Sequence, residues 1–310
     1  HIGVQMGGYS SEREISLKSG QAVYQALKEA GYRVSGLDIP FREEKKNLSF
    51  LKEAKIDLAF IALHGSLGED GTIQTILEEL AIPYSGSGVE ASQQAINKIK
   101  TQAVLQRENI PVAEHVVIRN GLASEGKDLR RILRHLGLPV VVKPAAQGSS
   151  IGVTLVDQEE NLKEALKTAL RYGPEALVER CIRGREFTVG ILGEEPLPLL
   201  ELLPKNRFFD FEAKYQPGMT DYVIPARVPL EVSRALQDVA WRAHRALGCE
   251  DLSRVDIMMD AEGMPYVLEV NTIPGFTQTS LLPKAALAAG VNFVQLCLRL
   301  VGMAYGKKKK

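Results

Sequence analysis

One stretch restricts the fold more than any other. Arg254 to Asn271 reads as two apolar, strand-like runs around an acidic turn that contains Gly263. Folding it about Glu262 and Gly263 sets Asp256 opposite Glu269 and Arg254 opposite Asn271. Period-two alternation then puts these four on one face and turns Val255, Ile257, Leu268 and Val270 towards the core. Facing carboxylates on antiparallel strands repel unless a cation neutralises them. Asp256, Glu269 and Asn271 offer only oxygen ligands, the set suited to a hard divalent ion such as Mg²⁺, which usually shares its shell with substrate phosphates. An isolated Asp–Glu pair is more often a solvated surface hairpin. The opposed register and Asn271 favour the metal, and the metal implies a nucleotide.

The N-terminal third supplies an alternating β-α-β pattern, hence α/β with a parallel sheet. Ile2 to Met6 is a strand ending in Gly7-Gly8, followed by a helix to about Ala30, strands near Arg33–Leu37 and Leu58–Leu63, and a helix from about Asp70 to Leu80. The serines before Glu12 are candidate helix caps. The dinucleotide fingerprint Gly-x-Gly-x-x-Gly is absent after the first strand. His64-Gly65 and Gly68-Glu-Asp-Gly71 fall at the C-terminal end of the third strand, where open α/β sheets collect ligands. Helical sequence then runs through Arg107, and a domain boundary is placed near residue 93.

Two motif matches further on are weighed by their context. Gly121 to Asp128 nearly matches a P-loop, but Asp stands where a Ser or Thr must ligate Mg²⁺, and Asp128 as a helix cap accounts for it. Gly148-Ser-Ser-Ile-Gly152 matches the nucleophile elbow of esterases, which requires a helix after it. Val153-Thr-Leu-Val156 follows instead, so a Gly/Ser loop between two strands, covering phosphate with Lys143 at the strand end, is preferred over a serine nucleophile. Glu179 and Glu186 bracket a connector and suit ribose hydroxyls. Phe208 to Arg227 has no helical or strand period and reads as an active-site lid, with Lys214 and Tyr215 as its functional candidates. The N–H groups at Gly275 and at the helix start near Ser280 and Leu281 form an anion site.

Composition removes other classes. Thirty-eight basic residues balance 38 acidic ones, which gives no electrostatic reason to expect nucleic acid or a membrane as partner. Cys181, Cys249 and Cys297 are too few and too irregular for a disulfide framework or a zinc knuckle. No basic-then-apolar leader precedes His1, and the apolar tail 285–305 is interrupted by Asn292, Gln295 and Arg299. A soluble, cytoplasmic protein is expected, with a few residues missing before His1. Lys307 to Lys310 is read as a solvated tail.

These residues resemble the ATP-grasp fold, and within it the D-alanine:D-alanine ligase family. The resemblance rests on Gly7-Gly-x-Ser-x-Glu12-Arg-Glu-x-Ser16, Leu63-His-Gly65, Pro83-Tyr-x-Gly-Ser-Gly88, Lys143-Pro, Gly148-Ser-Ser-x-Gly, Glu212-Ala-Lys-Tyr215, Arg254-x-Asp256 and Glu269-x-Asn-Thr-x-Pro-Gly275, in shared order over nearly the whole chain. It implies a substrate domain at 1–93 and two ATP-grasp subdomains at 94–181 and 182–310. It also implies ATP, two Mg²⁺ ions with Mn²⁺ able to substitute, D-alanine as substrate, and a homodimer.

By the same resemblance Asp256, Glu269 and Asn271 hold metal, and Lys98, Lys143 and Ser150 hold phosphates. Glu179, Glu186 and Lys214 complete the nucleotide site. Glu12 binds the first substrate's ammonium and His64 lies beside it. Arg254 and the Gly275 N–H stabilise the oxyanion, and Ser280 with Leu281 takes the second substrate's carboxylate. Ser149 and Tyr215 link to Glu12 across the closed lid. The implied reaction phosphorylates one D-alanine and lets the amine of a second attack the acyl phosphate, for peptidoglycan. Departures are Asn97 where Asp is usual, Ala146-Gln147, and Cys181 beside the adenine. Alternatives are a D-serine or D-lactate ligase of the same fold, a serine hydrolase on Ser150, and a non-catalytic nucleotide-binding module.

Overall fold

A computed structural model of the chain describes residues 1–119, 126–205 and 218–307. The near-match to a P-loop at Gly121, and the lid candidates Lys214 and Tyr215, lie outside the described residues.

Strand β1 (Ile2–Met6) is buried throughout and pairs in parallel with β2 (Val34–Asp38) and β3 (Leu58–Ile61) in the order β2-β1-β3. Helix α1 (Arg13–Glu29) returns across this sheet and buries Val23, Ala26 and Leu27, the i, i+3, i+4 spacing of an apolar stripe. Its N-cap is Glu12, with no side-chain cap. Ser10 Oγ instead accepts the Glu12 N–H at 3.1 Å, so the preceding serines shape the turn and do not cap the helix. Helix α2 (Glu44–Ala54) was not legible in the sequence because it buries only Asn47 and Leu51, too few apolar positions to set a period. Helix α3 (Thr72–Glu79) follows the third strand.

The helical stretch that ends at Arg107 is two helices, α4 (Val89–Ile96) and α5 (Lys98–Arg107), broken at Asn97. Asn97 is extended, with φ −94° and ψ 102°, and its Oδ1 accepts the Ile99 and Lys100 N–H groups at 3.1 Å each. It caps α5 and so fixes Lys98 as that helix's first residue.

A second, antiparallel sheet has the order β4-β7-β5-β6, made of β4 (His115–Arg119), β5 (Val140–Pro144), β6 (Thr154–Val156) and β7 (Glu175–Arg180). Helices α6 (Gly126–Leu136) and α7 (Leu162–Leu170) share its core. Helix α6 begins at Gly126, which places Asp128 within its first turn.

The third sheet runs β11-β10-β8-β12-β13, from β8 (Arg185–Leu192), β10 (Leu200–Pro204), β11 (Thr220–Val223), β12 (Leu252–Met259) and β13 (Pro265–Asn271). The two-residue β9 (Glu195–Pro196) pairs with β8. The expectation that 208–227 lacks any strand fails at β11, which pairs with β10 over Thr220 to Val223. Its Thr-Asp-Tyr-Val sequence is too short to show a period. Helix α8 (Leu230–Ala246) covers one face of this sheet through Leu236, Val239, Ala240 and Ala243.

The β12–β13 hairpin pairs Arg254 with Asn271 and Asp256 with Glu269, the register read from the sequence, and then shifts: Ile257 pairs with Val267. Leu268 is the extra residue of this bulge. Val267 takes the core place expected of Leu268, at 1% exposure, while Leu268 faces a cleft.

Helices α9 (Leu281–Ala288) and α10 (Phe293–Lys307) return to the first sheet, where Leu296, Cys297 and Leu300 share a core with Ile2, Val4 and Phe60. Phe276 stacks edge-on to Phe60 at 5.5 Å and lies 5.6 Å from Phe293, which plugs the loop after β13 into the N-terminal layer. Among the described residues no single helix is long and apolar enough to cross a membrane, and the α9–α10 pair is bent by 101°.

Candidate active site

The three sheets leave two clefts, of about 590 and 600 Å³, that share Lys98 and Glu269 in their walls. The first is lined by Glu12, His64, Ser149, Arg254, Gly275 and Ser280, and also by Asn271 and Leu281. The second is lined by Lys143, Ser150, Glu179, Glu186 and Asp256, with Cys181 and Leu268 beside them. The residues read from the sequence for the amino acid therefore gather in one cleft and those for the nucleotide in the other. Of the three ligand candidates, Asp256 lines the second cleft, Asn271 the first and Glu269 both.

In the first cleft Glu12 stands at the start of α1, 9% exposed, and its carboxylate accepts a short hydrogen bond from Ser149 Oγ. Backbone approaches Glu12 closely from two sides. A Cβ at Gly148 would come within 3.0 Å of Glu12 Oε2, and one at Gly65, where φ is +72°, within 2.9 Å. Ser149 and Ser150 are both left-handed, with φ +53° and +56°, a conformation that costs non-glycine residues energy and that the loop must hold in place.

His64 is buried and bridges the layers. Its Nδ1 lies 2.9 Å from the Ile273 carbonyl, an acceptor only, so Nδ1 carries the proton. Nε2 then accepts from Ser19 Oγ at 2.9 Å, and Ser19 Oγ accepts the Phe276 N–H at 3.1 Å. This chain ties α1 and β3 to the loop that presents Gly275. Glu69 Oε1 lies 4.0 Å from His64 Nδ1, and burial, aided by the charge of Glu12, pushes its carboxyl above the usual range. At the start of α9, Ser280 Oγ accepts the Thr277 N–H at 3.1 Å, which closes the turn before the helix.

In the second cleft Lys143 Nζ lies 2.5 Å from Glu179 Oε2, and Gln102 donates to the other oxygen. Glu179 is 3% exposed, so its carboxylate is held by Lys143 and Gln102 in the wall between α5 and the second sheet. Lys98 Nζ donates to the Gln147 carbonyl at 2.7 Å and lies 3.4 Å from Glu269 Oε2. Arg254 spans both oxygens of Asp256, at 2.9 and 2.8 Å, and Thr188 Oγ1 donates to Asp256 Oδ1 at 2.6 Å. Asn271 Oδ1 accepts the Ile273 N–H at 2.9 Å, which fixes its amide.

Gln102, Thr188 and Ser19 are not singled out by sequence reasoning, and Glu69 enters it only within the Gly68-Glu-Asp-Gly71 run. Gln102 had a signal, since it lies four residues after Lys98 on the same face of α5. Thr188 lies two residues from Glu186 on the same face of β8.

Models of the D-ala D-ala ligase N-terminus and C-terminus match residues 38–87 and 104–302. The chain belongs to the D-ala D-ala ligase family. The D-alanine--D-alanine ligases of Pelotomaculum thermopropionicum and Geotalea uraniireducens are 48% and 46% identical to it, over 98% of this chain and 96% and 95% of theirs. A crystal structure of the D-alanine--D-alanine ligase from Bacillus anthracis superimposes with TM-score 0.87 at 35% identity, covering 99% of this chain and 98% of that one. The VanG D-Ala:D-Ser ligase from Enterococcus faecalis superimposes with TM-score 0.83 at 29% identity, covering 98% of each. Like its relatives, this member of the family has an α/β architecture of the ATP-grasp type with a parallel N-terminal sheet, and it is an enzyme of that ligase family.

Proposed function

We propose that this protein joins two molecules of D-alanine at the expense of ATP, through an acyl phosphate, to give the dipeptide used in peptidoglycan. The observation that carries this reading is the junction of the two clefts at Lys98 and Glu269, which sets an amino-acid cleft and a nucleotide cleft on either side of one set of oxygen donors.

Asp256 and Glu269 face each other across the hairpin and Asn271 lies two residues on, an all-oxygen set that fits a hard cation. Among the described residues no cluster of three or more His, Cys, Asp or Glu offers another site. A bound Mg²⁺ supplies charge neutralisation as the phosphoryl group moves. The side chains do the rest. Glu12 accepts the ammonium of the first D-alanine and leaves its carboxylate towards the junction. Lys98, Lys143 and Ser150 hold phosphate oxygens, and Glu186 takes the nucleotide's sugar. Arg254 and the Gly275 N–H bind the oxyanion that forms when the second amine attacks, where donors act most strongly. The second D-alanine docks its carboxylate at Ser280 and Leu281, on the N-terminus of α9. Ser149, donating to Glu12, orients the pair. Lys214 and Tyr215 are assigned to the lid by the resemblance, and two chains form the working dimer.

Chromatographic product analysis with D-alanine plus D-serine or D-lactate tests the choice of second substrate. D-Alanyl-D-alanine is the expected dominant product at neutral pH; a dominant mixed dipeptide or depsipeptide contradicts it and favours the VanG-like activity.

A further inference from the structure

Each carboxylate assigned to the metal already has a cationic partner, and each partner is a group assigned to a substrate anion. Arg254 covers both oxygens of Asp256 from side chains only 11% and 8% exposed. Lys98, 9% exposed, lies 3.4 Å from Glu269. We propose that these two ion pairs couple metal to nucleotide, because Arg254 and Lys98 release Asp256 and Glu269 only when an anion arrives together with the cation. The proposal rests on the reading of Asp256, Glu269 and Asn271 as metal ligands.

Arg254, Asp256 and Lys98 are poorly solvated. A divalent cation that entered alone would sit against a guanidinium and an ammonium and would compete with them for the carboxylates they pair with, which is costly among buried ions. A polyphosphate that entered alone would draw Lys98 away and leave Glu269 facing Asp256 across the hairpin with less positive charge between them. Joint entry brings negative charge in with the cation: the carboxylates pass to the metal and Lys98 to a phosphate, while Arg254 meets the net negative charge of the incoming complex before it turns to the oxyanion that develops later. The third pair differs. Glu179 is not among the metal ligands and is also held by Gln102, so Lys143 keeps this partner while it meets the phosphate. The two cations thus suppress binding of bare metal ion and help binding of the metal–nucleotide complex.

The test is a titration of the full chain with Mn²⁺, with free Mn²⁺ read by electron paramagnetic resonance, without nucleotide and then with saturating ADP. Lys98→Met and Arg254→Met are expected to bind Mn²⁺ alone more tightly than the unmodified protein, by about 5- to 150-fold, the usual range for coupled sites. Lys98→Arg, which keeps the charge, restores the original affinity, and Lys100→Met, an exposed lysine on the same helix, leaves it unchanged. Lys98→Met also weakens ADP binding. Unaltered affinity for Mn²⁺ alone in both Met variants overturns the exchange while leaving the metal site intact. Absence of bound Mn²⁺ in the unmodified protein even with ADP overturns the metal assignment itself, and the exchange with it. Each variant interrogates one ion pair, so a folding failure in one, checked by circular dichroism, leaves the other to decide.

Discussion

Ser149 contributes one hydroxyl to the site, and that hydroxyl is spent on the Glu12 carboxylate. Hydrogen bonds to charged groups are worth about 1.5–3 kcal/mol, so Ser149→Ala is expected to raise KM for the first D-alanine by roughly ten- to a hundredfold while KM for ATP stays within about twofold. Steady-state kinetics with each substrate varied in turn checks this, and an equal rise in both constants would point to a general loosening of the loop. At this scale the sequence exposed the ends of each interaction better than its middle. Asp256 and Glu269 were legible because strand alternation fixes which residues oppose. Thr188 on Asp256 and Ser19 on His64 were not, because each partner comes from an element 45 or more residues away and a lone hydroxyl has no pattern of its own.

Asn97 ends α4, caps α5 and thereby sets the direction of Lys98. Asn97→Ala removes the acceptor for two backbone N–H groups and is expected to cost about 1 kcal/mol in denaturant unfolding. It should also raise KM for ATP, since Lys98 follows the first turn. Retention of both values would show that the Lys98 N–H bond to the Ala145 carbonyl, 2.7 Å, holds the turn unaided. The elements with a strong period, such as α1, α8, β1 and the β12–β13 hairpin, could be read directly. The shift at Leu268 could not, since Val267 and Leu268 are equally apolar and only packing against α8 decides which of them enters the core. Helix α2 and the short strands β9 and β11 carry too few apolar residues to leave a period.

The molecule as a whole is closed by its C-terminal helices, which bury their apolar face on the first sheet although some 200 residues separate them in sequence. Local pattern gives no hint of this return, whereas the parallel sheet itself was legible from the alternation of strand and helix. The interior also carries a titratable support. His244 on α8 lies 2.8 Å from Ser253 Oγ, and burial lowers its pKa to about 4. Because the unfolded chain binds this proton more readily, near pH 6.5, stability from neutral His244 is full above that pH. It falls towards pH 4 by roughly 3 kcal/mol in all. Thermal melts between pH 7 and 4 should show this loss in the unmodified protein and a shallower one in His244→Gln; identical slopes would contradict it.

The claim on which the rest depends is that Glu269 joins an amino-acid site to a nucleotide site. Phosphate release from Mg-ATP, followed with D-alanine and with L-alanine and D-lactate as controls, addresses it most directly. Release is expected with D-alanine and with neither control, and is lost by at least about a hundredfold in Glu269→Ala through removal of charge stabilisation at the phosphoryl group. Release that ignores D-alanine, or that survives Glu269→Ala at full rate, would contradict it.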